Sequence, residues 1–199
     1  MNTSFVNRKD SIIASAIEII SESGIASLTT KMLAQKENIS ESLLYRYFGG
    51  IDEVLVEVVD LFRKFDMGII ATIEVKDILH LDKVMEFLRT LANNYDGYYE
   101  LSSIVLNYEY LLHNVNTREA IAACIDMRTN FVRKELNLAL EEGEITDTFT
   151  SEELSILLFG GMTRDLLNRR IWNDDKTHSQ VSKSTLNKLV DMVRIKKDS

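Results

Sequence analysis

The chain has 199 residues, of which 45% are hydrophobic and 27% charged, with a formal net charge of −8. This mixture excludes a disordered chain, which needs low hydrophobicity and high net charge, and no apolar run approaches the roughly 18 residues of a membrane span. Proline is absent, glycine is limited to eight residues and the single cysteine, Cys124, cannot close an internal disulfide; long helices in a reducing cytoplasm are expected. The apolar stretch 11–20 is interrupted by Glu18 and lacks a small-residue cleavage site, so it is not expected to be a signal peptide.

Residues 8–23 read as an amphipathic helix, with Ile12, Ile13, Ala16, Ile17 and Ile20 at helical spacing and Gly24 where a C-terminal cap belongs. After a linker at 25–28, Thr29 fits the N-cap of a short helix reaching about Lys36. Asn38 marks a turn, because asparagine tolerates the left-handed conformation better than most residues. Ser40 is a second N-cap, opening a helix to about Tyr47, and Gly49-Gly50 breaks it. Further helices are predicted near 52–72, 81–95, 98–114, 117–142, 151–172 and 178–196, with Gly143 ending one of them. No period-2 strand pattern occurs, so the fold class is all-α. Residues 1–50 and 51–199 are expected to form two domains.

The stretch 29–48 carries the chemistry. Two short capped helices joined by a turn of about three residues form a helix-turn-helix, with Leu33, Ala34, Ile39, Leu44 and Phe48 directed inward. The opposite face of the second helix is short, polar and aromatic, as a recognition helix in a major groove requires. Arg46 suits a guanine or a phosphate, and Leu43 a thymine methyl. Thr29, Thr30, Ser40, Ser42, Tyr45 and Tyr47 offer donors to phosphate oxygens, and Lys31 and Lys36 are candidate phosphate contacts. The electrostatic footprint is weak. Residues 1–50 hold five basic and five acidic side chains, so the whole net charge lies in 51–199.

The residues Ile13-x-x-Ala16, Gly24, Thr29-x-x-x-Leu33-Ala34, Ser40 and Leu44-Tyr45-x-x-Phe48, followed by Asp52-Glu53-x-Leu55, fall in one register over about residues 8–60. This pattern resembles the TetR family of transcriptional regulators. The resemblance implies three N-terminal helices that bind DNA and a helical domain that binds an inducer. It also implies a homodimer whose heads are reoriented by ligand, releasing the operator. Three positions depart from the family pattern: Asn38 stands where glycine is usual at the turn, Ile51 where lysine often opens the next helix, and Glu41 where a basic residue is common. A head so poor in cations is expected to bind DNA with a shallow salt dependence.

In the body, Leu154, Leu157, Leu158, Gly161 and Met162 form one stripe, and Val181, Leu186, Leu189, Val190 and Val193 another. The resemblance makes these last two helices a dimer interface through Leu154, Leu158, Gly161, Leu186, Leu189 and Val193. The same stripes would equally serve the core of a single chain. Two-fold symmetry would place the heads on a palindromic double-stranded DNA operator. Five of the seven tyrosines lie between Tyr95 and Tyr110. Aromatics with a few polar groups suit an apolar pocket, so Phe65, Phe87, Tyr95, Tyr99, Asn107, Tyr108, Met127 and Phe131 are candidate contacts for a small-molecule effector; ordinary core packing is the competing reading.

No Gly-rich phosphate loop, metal constellation or nucleophile motif is present, so neither an enzyme nor a cofactor or metal site is expected. A helical adaptor that binds protein and has weakened DNA binding is the alternative to a ligand-responsive repressor.

Overall fold

The computed structural model describes residues 8–172 and 178–195, apart from the side chains of Tyr99, 178–179 and 181–183. Among the described residues ten α-helices follow one another: α1 (Arg8–Ser23), α2 (Thr30–Lys36), α3 (Glu41–Leu44), α4 (Ile51–Glu74), α5 (His80–Gly97), α6 (Tyr99–Val105), α7 (Tyr108–His113), α8 (Arg118–Glu141), α9 (Ser151–Trp172) and α10 (His178–Val193). A 3-10 turn, Ile25–Ser27, sits between α1 and α2. Among the described residues the only β-type pairing is an isolated bridge between Ile145 and Arg194.

The chain packs as two compact units, one within Met1–Arg63 and Glu100–Cys124, the other within Lys64–Tyr99 and Ile125–Ser199. The first is built on α1, whose Ile12, Ile13, Ala16, Ile17, Ile19 and Ile20 are all buried. α1 leaves its last turn through Gly24, where φ 84 and ψ 156 lie in a region that only glycine occupies without strain.

In the second unit α10 packs against α5 and α9. Phe87 and Phe131 meet edge to face there, with ring centroids 5.1 Å apart. α8 ends in a Schellman cap. Gly143 takes a φ of 68, its N–H donates to Leu140 O at 3.2 Å and the Glu144 N–H to Ala139 O at 2.8 Å. The buried Glu144 carboxylate then accepts from the N–H groups of His80 (3.0 Å) and Leu81 (2.8 Å). It satisfies orphan donors at the start of α5, whose own N-cap residue, Leu79, has no side chain to offer.

The single helix expected over 98–114 is two. The Asn107 side-chain amide donates to Ser103 O at 2.7 Å, and the Asn107 N–H turns back to Ile104 O at 3.0 Å. Local bonding by asparagine competes with the regular ladder, and α6 stops before α7 begins.

Candidate nucleic-acid interface

Both caps predicted for the helix-turn-helix form. Thr29 Oγ1 accepts from Met32 N at 3.1 Å and Ser40 Oγ from Leu43 N at 3.2 Å. Between them Asn38 adopts a φ of 53. Its N–H donates to Gln35 O at 3.1 Å and the Ile39 N–H to Ala34 O at 2.9 Å. This is the same Schellman pairing that Gly143 makes, with asparagine in the left-handed position. A β-branched residue there would meet the full steric penalty. Asn38→Val is expected to lower stability by about 1–2 kcal/mol, whereas Asn38→Gly should hold or raise it; urea denaturation distinguishes them.

Leu33, Ala34, Leu44 and Phe48 are buried and Ile39 is half-buried. Glu37 ties α2 to α1, accepting from Ser11 Oγ (2.9 Å) and Ser15 Oγ (2.5 Å), with Arg8 Nη1 at 3.4 Å. α3 is shorter than expected. From Tyr45 onward the turn tightens, with Arg46 N bonded to Leu43 O and Tyr47 N to Leu44 O, the i→i−3 pattern common at helix ends.

The face opposite the core exposes Lys31, Glu41, Ser42, Tyr45 and Arg46, with Thr30, Leu43 and Tyr47 half-buried. Three of the head's five cations are engaged within the fold. Arg8 faces Glu37, Lys36 lies 2.9 Å from Glu18 and 3.6 Å from Glu22, and Lys9 sits 5.0 Å above the Phe48 ring. The hydrogen bond with Glu18 holds the Lys36 ammonium above its ordinary pKa. Lys36, expected as a phosphate contact, is thereby drawn to two carboxylates of α1. Lys31 and Arg46 have no carboxylate partner among the described residues. Of the hydroxyls, Thr30 Oγ1 donates its proton to Glu41 Oε2 at 2.8 Å, while Ser40 Oγ and Ser42 Oγ lie 3.0 Å apart.

Residues 12–58 match the sequence profile of the bacterial regulatory proteins of the tetR family. The helix-turn-helix region of the chain is thus similar to the DNA-binding region of the TetR family. It is 33% identical over 93 residues to the tetracycline repressor proteins of class D from Escherichia coli and class H from Photobacterium damsela subsp. piscicida. That match takes in 45% of this chain and 42% of each repressor, so the chain spans less than half the length of these curated relatives. Likeness of fold extends further. The ketosteroid transcriptional regulator KstR2 of Mycobacterium tuberculosis superposes with a TM-score of 0.79 at 16% identity, over 97% of this chain and 98% of that one. The fatty acid degradation regulator FadR from Bacillus halodurans gives 0.77 at 17%, over 94% and 97%. FadR from Bacillus subtilis in complex with stearoyl-CoA gives 0.76 at 20%, over 90% and 96%. At these identities the likeness is one of fold.

Phe65, Phe87, Tyr95, Met127 and Phe131 fall in the second unit, Asn107 and Tyr108 in the first. The Tyr99 side chain lies outside the described residues. Phe87, Tyr95 and Phe131 are buried, and the Tyr95 hydroxyl accepts from Arg128 Nη1 at 3.2 Å. Phe65 is half exposed and lines a groove of 550 Å³ between α4 and α5, together with Lys64, Ile69, Ile73, Glu86 and Thr90. Sequence reasoning passed over Asp66, Arg128, Glu135 and Glu144, which are all buried. Their signal was present: Asp66 follows Phe62 by four residues and Arg128 follows Cys124 by four, so each charge falls on an apolar stripe.

Most of the residues expected at a dimer interface face the interior of their own unit. Leu154, Leu158, Leu186 and Val193 are each 2% exposed or less and serve the core of their own unit, and Leu189 is half-buried. Gly161 is exposed. The apolar residues that α9 presents to solvent lie nearly on the opposite side of the helix: Ile156, Leu167 and Ile171 on one line with Gly160, flanked by Leu157 and Gly161.

Proposed function

We propose that this protein is a ligand-responsive transcriptional repressor that binds a palindromic DNA operator as a homodimer and is released by a small apolar or amphipathic molecule. The observation that carries the reading is the capped helix-turn-helix with Lys31, Tyr45 and Arg46 standing unburied on its outer face. On this reading residues 1–50 form the DNA-binding head, and 51–199 sense the ligand and assemble the dimer through the exposed face of α9. Tyr45, Tyr47, Leu43 and the hydroxyls of Thr29, Ser40 and Ser42 complete the contact surface with DNA. A regulator of this kind works in the cytoplasm; no described helix is long and apolar enough to cross a membrane.

The groove beside Phe65 supports the ligand class. Ile69 and Ile73 give it an apolar lining. Glu86 is paired with Lys76, while Lys64 has no carboxylate partner among the described residues. An apolar tail with an acidic group suits that arrangement, and stearoyl-CoA, which accompanies the Bacillus subtilis protein, is of that kind. Coupling of ligand to DNA on this reading would pass through the start of α4, which follows the head directly. Asn114 Nδ2 and Asn116 Nδ2 each donate at 2.8 Å to the two oxygens of Asp52, in the first turn of α4 and four residues past Phe48.

Fluorescence anisotropy of the DNA upstream of the protein's own gene tests the reading, at low salt and with long-chain acyl-CoA added as releasing ligand. With two unpaired cations per head, a dimer should show a log–log salt slope of roughly −4, and Arg46→Ala should flatten it and weaken binding about tenfold or more. No shift of that DNA at any salt would favour the adaptor. A slope steeper than roughly −7 would mean that the paired lysines also reach phosphates.

A further inference from the structure

We propose that Glu41 is a specificity-determining residue: its carboxylate accepts a hydrogen bond from the amino group of a cytosine, fixing a C·G pair in each half-site. The inference rests on the DNA-binding reading above.

Glu41 is the first residue of α3, at the end of a recognition helix that meets base edges. It is exposed. Unlike Glu18, Glu22 and Glu37, it faces no basic side chain among the described residues. It is nevertheless held, because Thr30 Oγ1 on α2 donates to its Oε2 at 2.8 Å. Thr30 is therefore a positioning residue that fixes one carboxylate oxygen and leaves the other open.

A carboxylate only accepts. Of the four major-groove edges, cytosine offers a donor alone. Adenine sets an acceptor beside its donor, and guanine and thymine offer acceptors. A carboxylate aimed into the groove thus selects cytosine and is repelled by the rest. One aimed at the backbone would meet phosphates and oppose all sequences alike. Restraint by Thr30 removes rotamer freedom that the contact would otherwise cost.

The test is selection of binding sites from a randomised duplex pool at low salt, with the full chain and its variants Glu41→Ala, Glu41→Gln and Thr30→Val. The wild type should select a fixed C·G pair in each half-site. Glu41→Ala should lose that preference, a change of about tenfold between C·G and its alternatives at one position. Glu41→Gln, which keeps the side-chain size, should move the choice to adenine, because glutamine supplies the donor–acceptor pair that adenine reads. Thr30→Val should keep the base choice with several-fold weaker discrimination. An unchanged selected site with uniformly tighter binding by Glu41→Ala overturns the proposal, since the carboxylate would then only repel phosphate. A wild type that selects no site sinks the DNA-binding reading itself, a distinct result.

Discussion

Truncating Arg128 to alanine should cost the protein about 3–5 kcal/mol of stability, the usual effect of removing one partner of a buried ion pair. Arg128 Nε donates to Asp66 Oδ2 at 2.6 Å, and the two side chains are only 9% and 3% exposed. Alanine at 128 leaves the Asp66 carboxylate buried without its guanidinium, and it also takes a donor from the Tyr95 hydroxyl. Asp66→Ala should be comparably damaging. The double change Asp66→Leu with Arg128→Met should recover most of the loss, because well-packed apolar residues of similar volume commonly match a buried pair. Urea midpoints followed by circular dichroism decide the matter. A single-variant loss below about 1 kcal/mol would place the pair in the class of solvent-screened contacts.

Phe48→Ala is expected to be as severe and more local. The Phe48 ring is 2% exposed, and it lies where the tightened turn after α3 closes the head. Emptying such a site costs about 3–5 kcal/mol. Phe48 is the one buried aromatic ring among the described residues of the head, so the loss should appear as unfolding of α1 to α3 and as DNA binding abolished at every salt concentration. Hydrogen exchange localises it: amides of α1 and α2 should lose protection while those of α5 and α9 keep theirs. Phe48→Leu, which retains most of the volume, should be much milder.

The parts of this architecture that were legible in the sequence are those fixed by local chemistry. Thr29 and Ser40 announce their caps through side chains that can reach a nearby N–H, and both make that bond. Asn38 and Gly143 announce left-handed turns because few residues tolerate them, and both have positive φ. What stayed hidden depends on partners distant in the chain. Glu144 reaches 63 residues back to Leu81, and Arg128 62 residues back to Asp66. Neither partner is implied by spacing. The α9 stripe shows a second kind of loss. Periodicity marks Leu154 and Leu158 as apolar positions, but α9 carries apolar residues on two faces, and only packing shows which of them the chain covers for itself.

α9 ends at Trp172, the sole tryptophan of the chain, which is 75% exposed. The protein's one strong fluorophore thus stands next to Ile171, the last residue of the surface proposed for assembly. An indole in water emits to the red of one packed against apolar side chains. The unlabelled protein therefore carries its own optical gauge of self-association: its emission should move to the blue as concentration rises and back on dilution. The midpoint of that titration is the dimer dissociation constant, obtained without a dye, a tag or DNA.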